Sequence, residues 1–392
     1  MRLKILIYLL VSGRRFENAG NICNYGGFAK RRGVCSTTPA IRIRINMNTR
    51  FIEQIETLKE SDWLEAVGRV SSEIHPVDRN AVDIWFRIFP LDLVRYLESA
   101  KDLDAAMKSI AMQGDFGLFD KIDTSHWFLY GHRFWPQVKA AIIERLANPA
   151  EFRGLEFEVR NIAEKTALKV GADKSLTFGI AAVGLMTLVQ AGYGAFADSP
   201  GEIDPPCGIM CQAPDRIVAV RKRDDSQGLL GFLKTIDKEF TISFEAAKYS
   251  GKFKIINNEE LASASQKDHS RDWQALDSRC WDGPIPIECT SASCGTCWIG
   301  VLEGAEKLTS PTRRERRQMK VFGYGQPDSE KPNIRLACQA KASGNVSIVI
   351  PPWNAVFGKK VRGNVENVDL EPVTTSAKKL REAIASVVSS ND

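Results

Sequence analysis

The sequence predicts an α+β protein in which an all-helical region comes first and a strand-containing region follows. Three observations carry that expectation. Apolar residues recur at helical spacing from about Thr49 to Ala150. A 22-residue stretch from Ser175 to Phe196 carries no charge. From about Glu239 the apolar pattern switches from a period of 3.6 to a period of 2. A chain of 392 residues has room for about two or three domains. We expect a leader or non-native extension over 1–46, a helical domain over 47–197, a connector over 198–237, a second domain over 238–360, and a tail with one helix over 361–392.

Composition narrows the class. At 44% hydrophobic and 26% charged residues the chain is an ordinary globular one, able to build a core without disulfide staples. The net charge of +5 is too modest for the basic stripe that nucleic-acid binding requires. Nine cysteines suggest a reducing compartment, by default the cytoplasm. The alternatives are an organelle matrix or a membrane-associated site.

The first segment is rich in Lys and Arg, with Glu17 its single acid, and opens on an apolar run from Ile5 to Val11. A signal peptide would want a small-residue cleavage site close behind that run. A basic, acid-poor leader also resembles an organelle transit peptide. Because amphipathic helix begins directly after Met47, we favour a start there, with the upstream residues an extended reading frame.

In the helical region Phe51, Ile55 and Leu58, then Trp85, Ile88, Phe89 and Leu93, form apolar stripes, and Pro76, Pro90 and Pro136 fall where helices start or break. Asp123-Thr124-Ser125-His126 reads as a helix entry before the aromatic run Trp127 to Trp135. His126 and His132 lie six residues apart, which does not make them neighbours on one helical face, so a structural core role is expected over a metal or haem site. Ser175–Phe196 is long enough to span a membrane. Its four glycines, Gln190, Thr177 and Thr187 favour a buried central helix instead. Cys207 and Cys211 in the connector are separated by three residues, one more than a thioredoxin-like motif allows, and read as plain thiols, with a second metal site or a redox-active thiol pair as the alternatives. Cys280 reads as a small core residue of a helix.

The second region begins with two alternating runs, Phe240–Phe244 and Lys252–Ile256, around a turn at Tyr249-Ser250-Gly251, which reads as a hairpin. A short helix is expected around Asp272–Trp281, then strands at Trp298–Leu302 and Val346–Ile350. Between them lie Cys289, Cys294 and Cys297, with four and then two residues between successive cysteines, and the distant Cys338. That is the ligand spacing of a plant-type [2Fe-2S] cluster. Two irons and two bridging sulfides require two thiolates per iron, three of them from one tight loop. The intervening residues are Thr, Ser, Ala and Gly, small enough for backbone N–H groups to reach the sulfurs, and Gly295 supplies a position free to take φ > 0. A four-Cys zinc site would use the same ligands, but usually as two pairs on separate knuckles.

The order of hairpin, helix, cysteine loop, strand, variable helix, fourth Cys and final strand resembles the β-grasp fold of [2Fe-2S] ferredoxins, over roughly a third of the chain. The first Cys spacing is similar to the plant and cyanobacterial group. The segment Leu308–Gln339, with Phe322-Gly323-Tyr324-Gly325 and Arg335-Leu336-Ala337-Cys338-Gln339, is similar to the adrenodoxin group. The resemblance implies a one-electron carrier, with iron held by the four cysteines and with electron donor and acceptor proteins as partners.

The helix between the third and fourth Cys is acidic in adrenodoxin-like proteins and docks on basic patches. Here it is basic: Arg313, Arg316, Arg317 and Lys320 follow i, i+3, i+4, i+7 spacing, which suits a partner with an acidic surface. Ser310-Pro311 and a Thr312/Glu315 capping box are equally good starts for it. Two other readings stay open: a regulatory protein that senses the cluster's state, and a ferredoxin-containing oxidoreductase subunit with a site near His126 and His132. The helical region offers itself as a tether to a larger complex, and membrane association is not favoured.

Overall fold

Local sequence sets the helix ends in the first half of the computed structural model, which describes residues 49–351 apart from 104, 107–121, 123–126, 149, 202–210, 224–237, 247–248 and 325. Helices α1 (Thr49–Glu56), α2 (Glu60–Val70), α3 (Pro76–Ile88), α4 (Leu91–Ser99), α5 (Trp135–Ala147), α6 (Leu155–Val170) and α7 (Ser175–Asp198) follow in order. Pro76 opens α3 and Pro90 caps α4, while Pro136 sits in the first turn of α5, where a missing N–H costs nothing. The aromatic run before α5 is a short 3₁₀ turn, Tyr130–Phe134, preceded by the buried Trp127, Phe128 and Leu129. His132 lies in that turn; His126 and the expected helix entry at 123–126 lie outside the described residues.

Among the described residues α7 is the one helix long and apolar enough to cross a membrane, yet 78% of its apolar window is buried within the protein. Its glycines explain how. A Cβ at Gly179 would lie 2.6 Å from Val82 of α3, and one at Gly184 would lie 2.9 Å from Ile142 of α5. Two of the four glycines that dilute its hydrophobicity are thus sites where neighbouring helices approach, whereas a Cβ at Gly194 would meet open space. Its polar side chains find partners inside the fold: Thr177 donates to the Ala163 carbonyl at 2.8 Å, Thr187 to that of Val183 at 2.8 Å, and the Gln190 amide to that of Phe89, which leaves Gln190 Oε1 buried without a partner.

The 198–237 segment, expected to be a connector, contains a helix, α8 (Pro214–Lys222). Its charged ends hide a single inward face. Ile217 packs with Val77 and Tyr130, and the buried Arg221 donates to the Val77 carbonyl at 2.9 Å while pairing with Glu245 at 3.7 Å. Desolvation holds the Glu245 carboxyl above its ordinary range, against the opposing pull of Arg221.

The second half is a mixed sheet with order β2-β1-β7-β4-β5. The hairpin of β1 (Glu239–Ala246) and β2 (Ser250–Ile256) is antiparallel, with Gly251 opposite Phe244. After the two-residue β3 (Glu259–Glu260) come helix α9 (Leu261–Gln266) and the single turn α10 (Trp273–Leu276). The helix expected over 272–281 is therefore only one turn, and Cys280 lies beyond it, buried but not helical. Strands β4 (Trp298–Glu303), β5 (Ile334–Leu336), β6 (Lys341–Ala342) and β7 (Val346–Ile350) complete the region, with α11 (Arg313–Phe322) between β4 and β5. β7 pairs parallel to β1 and antiparallel to β4.

All described residues belong to one compact unit, Asn46–Asp392. Helix α3 lies against β4, which is buried along nearly its whole length. Gly300 makes this fit, since a Cβ there would lie 2.6 Å from Ile84 and 2.7 Å from Val349. The register of β4 against β7 shifts between Val301 and Glu303, and the Leu302 carbonyl at that irregularity accepts from Asn80 at 2.9 Å. Asn333, just before β5, donates to Asp83 at 3.1 Å. The expected tail helix falls outside the described residues.

Candidate metal centre

Four thiols meet where β4 begins and β5 ends. The antiparallel register sets Trp298 opposite Leu336, and the Ala337 N–H donates to the Cys297 carbonyl at 2.9 Å. Cys338 is thereby delivered beside Cys297 although it lies far along the chain. The loop carrying Cys289, Cys294 and Cys297 closes through the Glu288 N–H, which donates to Thr296 Oγ1 at 3.0 Å. Inside it the backbone turns left-handed twice, at Ala292 (φ 61°) and Gly295 (φ 68°). Gly295 is required for space as well as for φ: a Cβ there would lie 2.6 Å from the Phe322 ring. Cys289, Cys297 and Cys338 are each 1% exposed, and Cys294 is half-buried.

The loop aims its amides at sulfur, as small residues allow. The Cys294 N–H reaches Cys289 Sγ at 3.4 Å, and the backbone of Ser291 and Ser293 also donates to that sulfur. The Ala292 backbone, turned by its positive φ, donates to Cys338. The thiols pair side chain to side chain, Cys289 with Cys294 and Cys297 with Cys338. The Cys294 thiol, with these amides, holds Cys289 down to about 5, and Cys294 is pushed up in turn. The Cys297 thiol likewise holds Cys338 below the ordinary thiol range, while Cys297 is raised by that bond and by burial. In each pair one sulfur is thus favoured as thiolate by its partner, and binding a metal group requires both to be deprotonated.

The donor set tests which metal group fits. Among the described residues no three Cys, His, Asp or Glu side chains converge as a cage for a single ion. Two thiol pairs instead match two irons with two thiolates each. A tetrahedral zinc needs all four donors at one point. Behind the loop the Trp298 indole N–H is buried without a hydrogen-bond partner, edge-on to Phe322 and Tyr324.

Helix α11 holds the assembly from the other side. Thr312, not Ser310, is its N-cap and accepts from the Glu315 N–H at 3.1 Å. The expected capping box is only half made, because Glu315 faces inward with Gln318, Met319 and Phe322. Fully buried, its carboxylate takes Arg335 Nε at 2.8 Å, Arg335 Nη2 at 3.0 Å and the Leu336 N–H at 2.8 Å. Of the four cations expected on one open face, Arg313 is exposed, while Arg316, Arg317 and Lys320 are half-buried. Arg316 is a structural clamp that donates to the carbonyls of Pro327 at 2.6 Å and Ser329 at 3.2 Å. Arg314, outside the expected set, is exposed and donates to the Ser291 carbonyl on the cysteine loop at 3.3 Å.

The remaining cysteines stand apart from the four. Cys280 donates to the Pro284 carbonyl at 3.3 Å beside the Tyr249 hydroxyl, and burial pushes its thiol up to about 11. Cys211 is exposed, and Cys207 lies outside the described residues. The side chains of His126 and His132 are not described, so the site suggested near them has no geometry to support it.

Residues 271–343 match the family model of the 2Fe-2S iron-sulfur cluster binding domain, a span that includes all four cysteines of the two pairs. The C-terminal part of the chain is such a domain, and its cofactor is a [2Fe-2S] cluster. No solved structure matches the protein.

Proposed function

We propose that this protein is a one-electron carrier whose [2Fe-2S] cluster is ligated by Cys289, Cys294, Cys297 and Cys338. The observation that supports it most is the meeting of four thiols as two pairs at one end of the sheet, with backbone N–H groups aimed at the sulfurs. The bound cluster supplies a single reversible electron. The chain's own part is to fix the sulfurs, bury three of them and leave Cys294 nearest to solvent. Outer-sphere transfer asks for no acid, base or nucleophile. The parallel β1–β7 pairing beside antiparallel neighbours supports a β-grasp reading of the sheet.

Iron and acid-labile sulfide assays on anaerobically purified protein, with EPR after dithionite reduction, test the ligand assignment. About two irons and two sulfides per chain are expected, with an S = 1/2 signal that Cys338→Ser weakens or abolishes. Bound zinc with a featureless visible spectrum would sink the proposal.

The partners are an electron-donating reductase and an acceptor protein, at least one with an acidic surface that meets α11. Arg313 and Arg317 are the cations to test, because reversing Arg316 would also break its loop clamp. Electron transfer should quicken at low ionic strength, as the Debye length grows from about 10 Å at 0.1 M to about 30 Å at 0.01 M. If Arg313→Glu/Arg317→Glu leaves the rate and its salt dependence unchanged, the docking reading is wrong. The packing of α3 on β4 also favours a second reading, a ferredoxin-containing subunit of a larger oxidoreductase. A rigid helical body beside the cluster would serve as its assembly surface.

A further inference from the structure

Gln339 follows the last of the four cysteines, and both ends of its half-buried amide have hydrogen-bond partners. Thr312 Oγ1 donates to Gln339 Oε1 at 3.2 Å while accepting from the Glu315 N–H at 3.1 Å. With the carbonyl oxygen so occupied, the Nε2 end faces only acceptors: the Cys338 carbonyl at 2.9 Å, the Thr290 carbonyl at 3.3 Å and Cys338 Sγ at 3.7 Å. The reverse amide orientation would set oxygen against two carbonyls and a thiolate, so the network leaves one choice. Thr290 belongs to the cysteine loop and Thr312 caps α11. Gln339 thus joins the helix, the loop and the fourth sulfur in one chain of bonds.

We infer that Gln339 is a positioning residue for the cluster, donating from its side-chain amide to the Cys338 sulfur, with its orientation set by the Thr312 hydroxyl. The inference rests on the reading of Cys338 as a cluster ligand. A donor to a ligand sulfur stabilises the reduced cluster more than the oxidised one, because reduction adds negative charge that the sulfurs share. Removing it lowers the midpoint potential. Thr312 acts one step back: as a donor it holds the amide, and as an acceptor it would turn the amide round.

The test uses the full chain with its cluster, after the wild-type iron and sulfide content has established that the cluster is bound. Gln339→Leu removes the amide and should lower the midpoint potential and shift the Fe–S(Cys) stretching frequencies in resonance Raman spectra. Thr312→Asp keeps a good helix cap but cannot donate to Oε1. It should lower the potential more in the wild-type background than in the Gln339→Leu background, where only its charge acts. Should Gln339→Leu fail to retain its cluster, wild-type protein grown with side-chain ¹⁵N-glutamine gives the answer by pulsed EPR. A ¹⁵N coupling to the reduced cluster is expected that Thr312→Asp abolishes. Unchanged potential and Raman frequencies in a cluster-loaded Gln339→Leu protein, or no ¹⁵N coupling in the wild type, would overturn the inference and leave the ligand assignment standing.

Discussion

Replacing Glu315 by Ala should unhinge the fourth cysteine. The carboxylate is fully buried, accepts two bonds from Arg335, which is 1% exposed, and takes the Leu336 N–H as well. Removing it strands a buried guanidinium that keeps its bond to the Thr309 carbonyl at 2.8 Å but loses its counter-charge. Breaking such a pair from one side costs about 3–5 kcal/mol. The orphaned Leu336 N–H adds about 1–3 kcal/mol, partly the same loss counted again. A total near 4 kcal/mol is a large share of the roughly 5–15 kcal/mol that holds a domain together. Urea unfolding, followed by far-UV circular dichroism and by the visible absorption of the cluster, should show a midpoint lowered by more than about 1 M. Removing both charges, as Glu315→Leu/Arg335→Met, should recover much of the loss, because no charge is then left unpaired. A Glu315→Ala protein within about 1 kcal/mol of wild type would refute the reasoning. So would a double variant less stable than the single.

Three further outcomes are expected. Gly295→Ala forces a side chain into a left-handed turn and against Phe322, and should cost about 2 kcal/mol or more with loss of bound iron, read by iron content and visible absorption. Gly300→Ala, whose methyl would press on Ile84 and Val349, should cost about 1–3 kcal/mol and lower the unfolding of helices and cluster together; transitions that separate would show that α3 and the sheet unfold independently. The carboxyl of Glu245 binds its proton more tightly folded than unfolded, so the stability it contributes is present at low pH and is lost as pH rises through its raised folded value. Glu245→Gln should flatten that fall in stability between mildly acidic and neutral pH, measured by thermal melts across the range.

The parts of the centre that were legible in sequence are those the chain carries locally. Cysteine spacing, the small residues between the thiols and the need for positive φ at Gly295 all sit within one short segment, and each reappears in the loop. The hairpin and the strands at Trp298 and Val346 were legible for the same reason, since alternation is a local signal. What stayed hidden depends on residues that meet across the chain. Thr312 and Glu315 carry a capping-box spacing, and only the approach of β5 shows that the carboxylate serves Arg335 instead. Arg316 carries the spacing of an open basic face, and only the return of the 327–329 segment shows that it is a clamp. Helix α8 was hidden because its inward face is one apolar residue and one arginine, too little for a periodic pattern.

The same distinction decides how the helical region is understood. Read as sequence, it is a separate body joined by a connector, which suits a tether. Yet the side chains that fasten it to the sheet lie on both sides of that supposed gap: Asn80 on the Leu302 carbonyl, Asp83 on Asn333, and Arg221 between Val77 and Glu245. All four of these bonds use buried or half-buried polar groups that would be costly to expose singly. A glycine at position 300 removes the side chain that would hold Ile84 away. Tethers need few such contacts, because their use lies in moving freely. These contacts instead hold α3 against β4, the strand that starts at the cysteine loop. A force on the helical region is therefore transmitted to the strand that carries Cys297 into place.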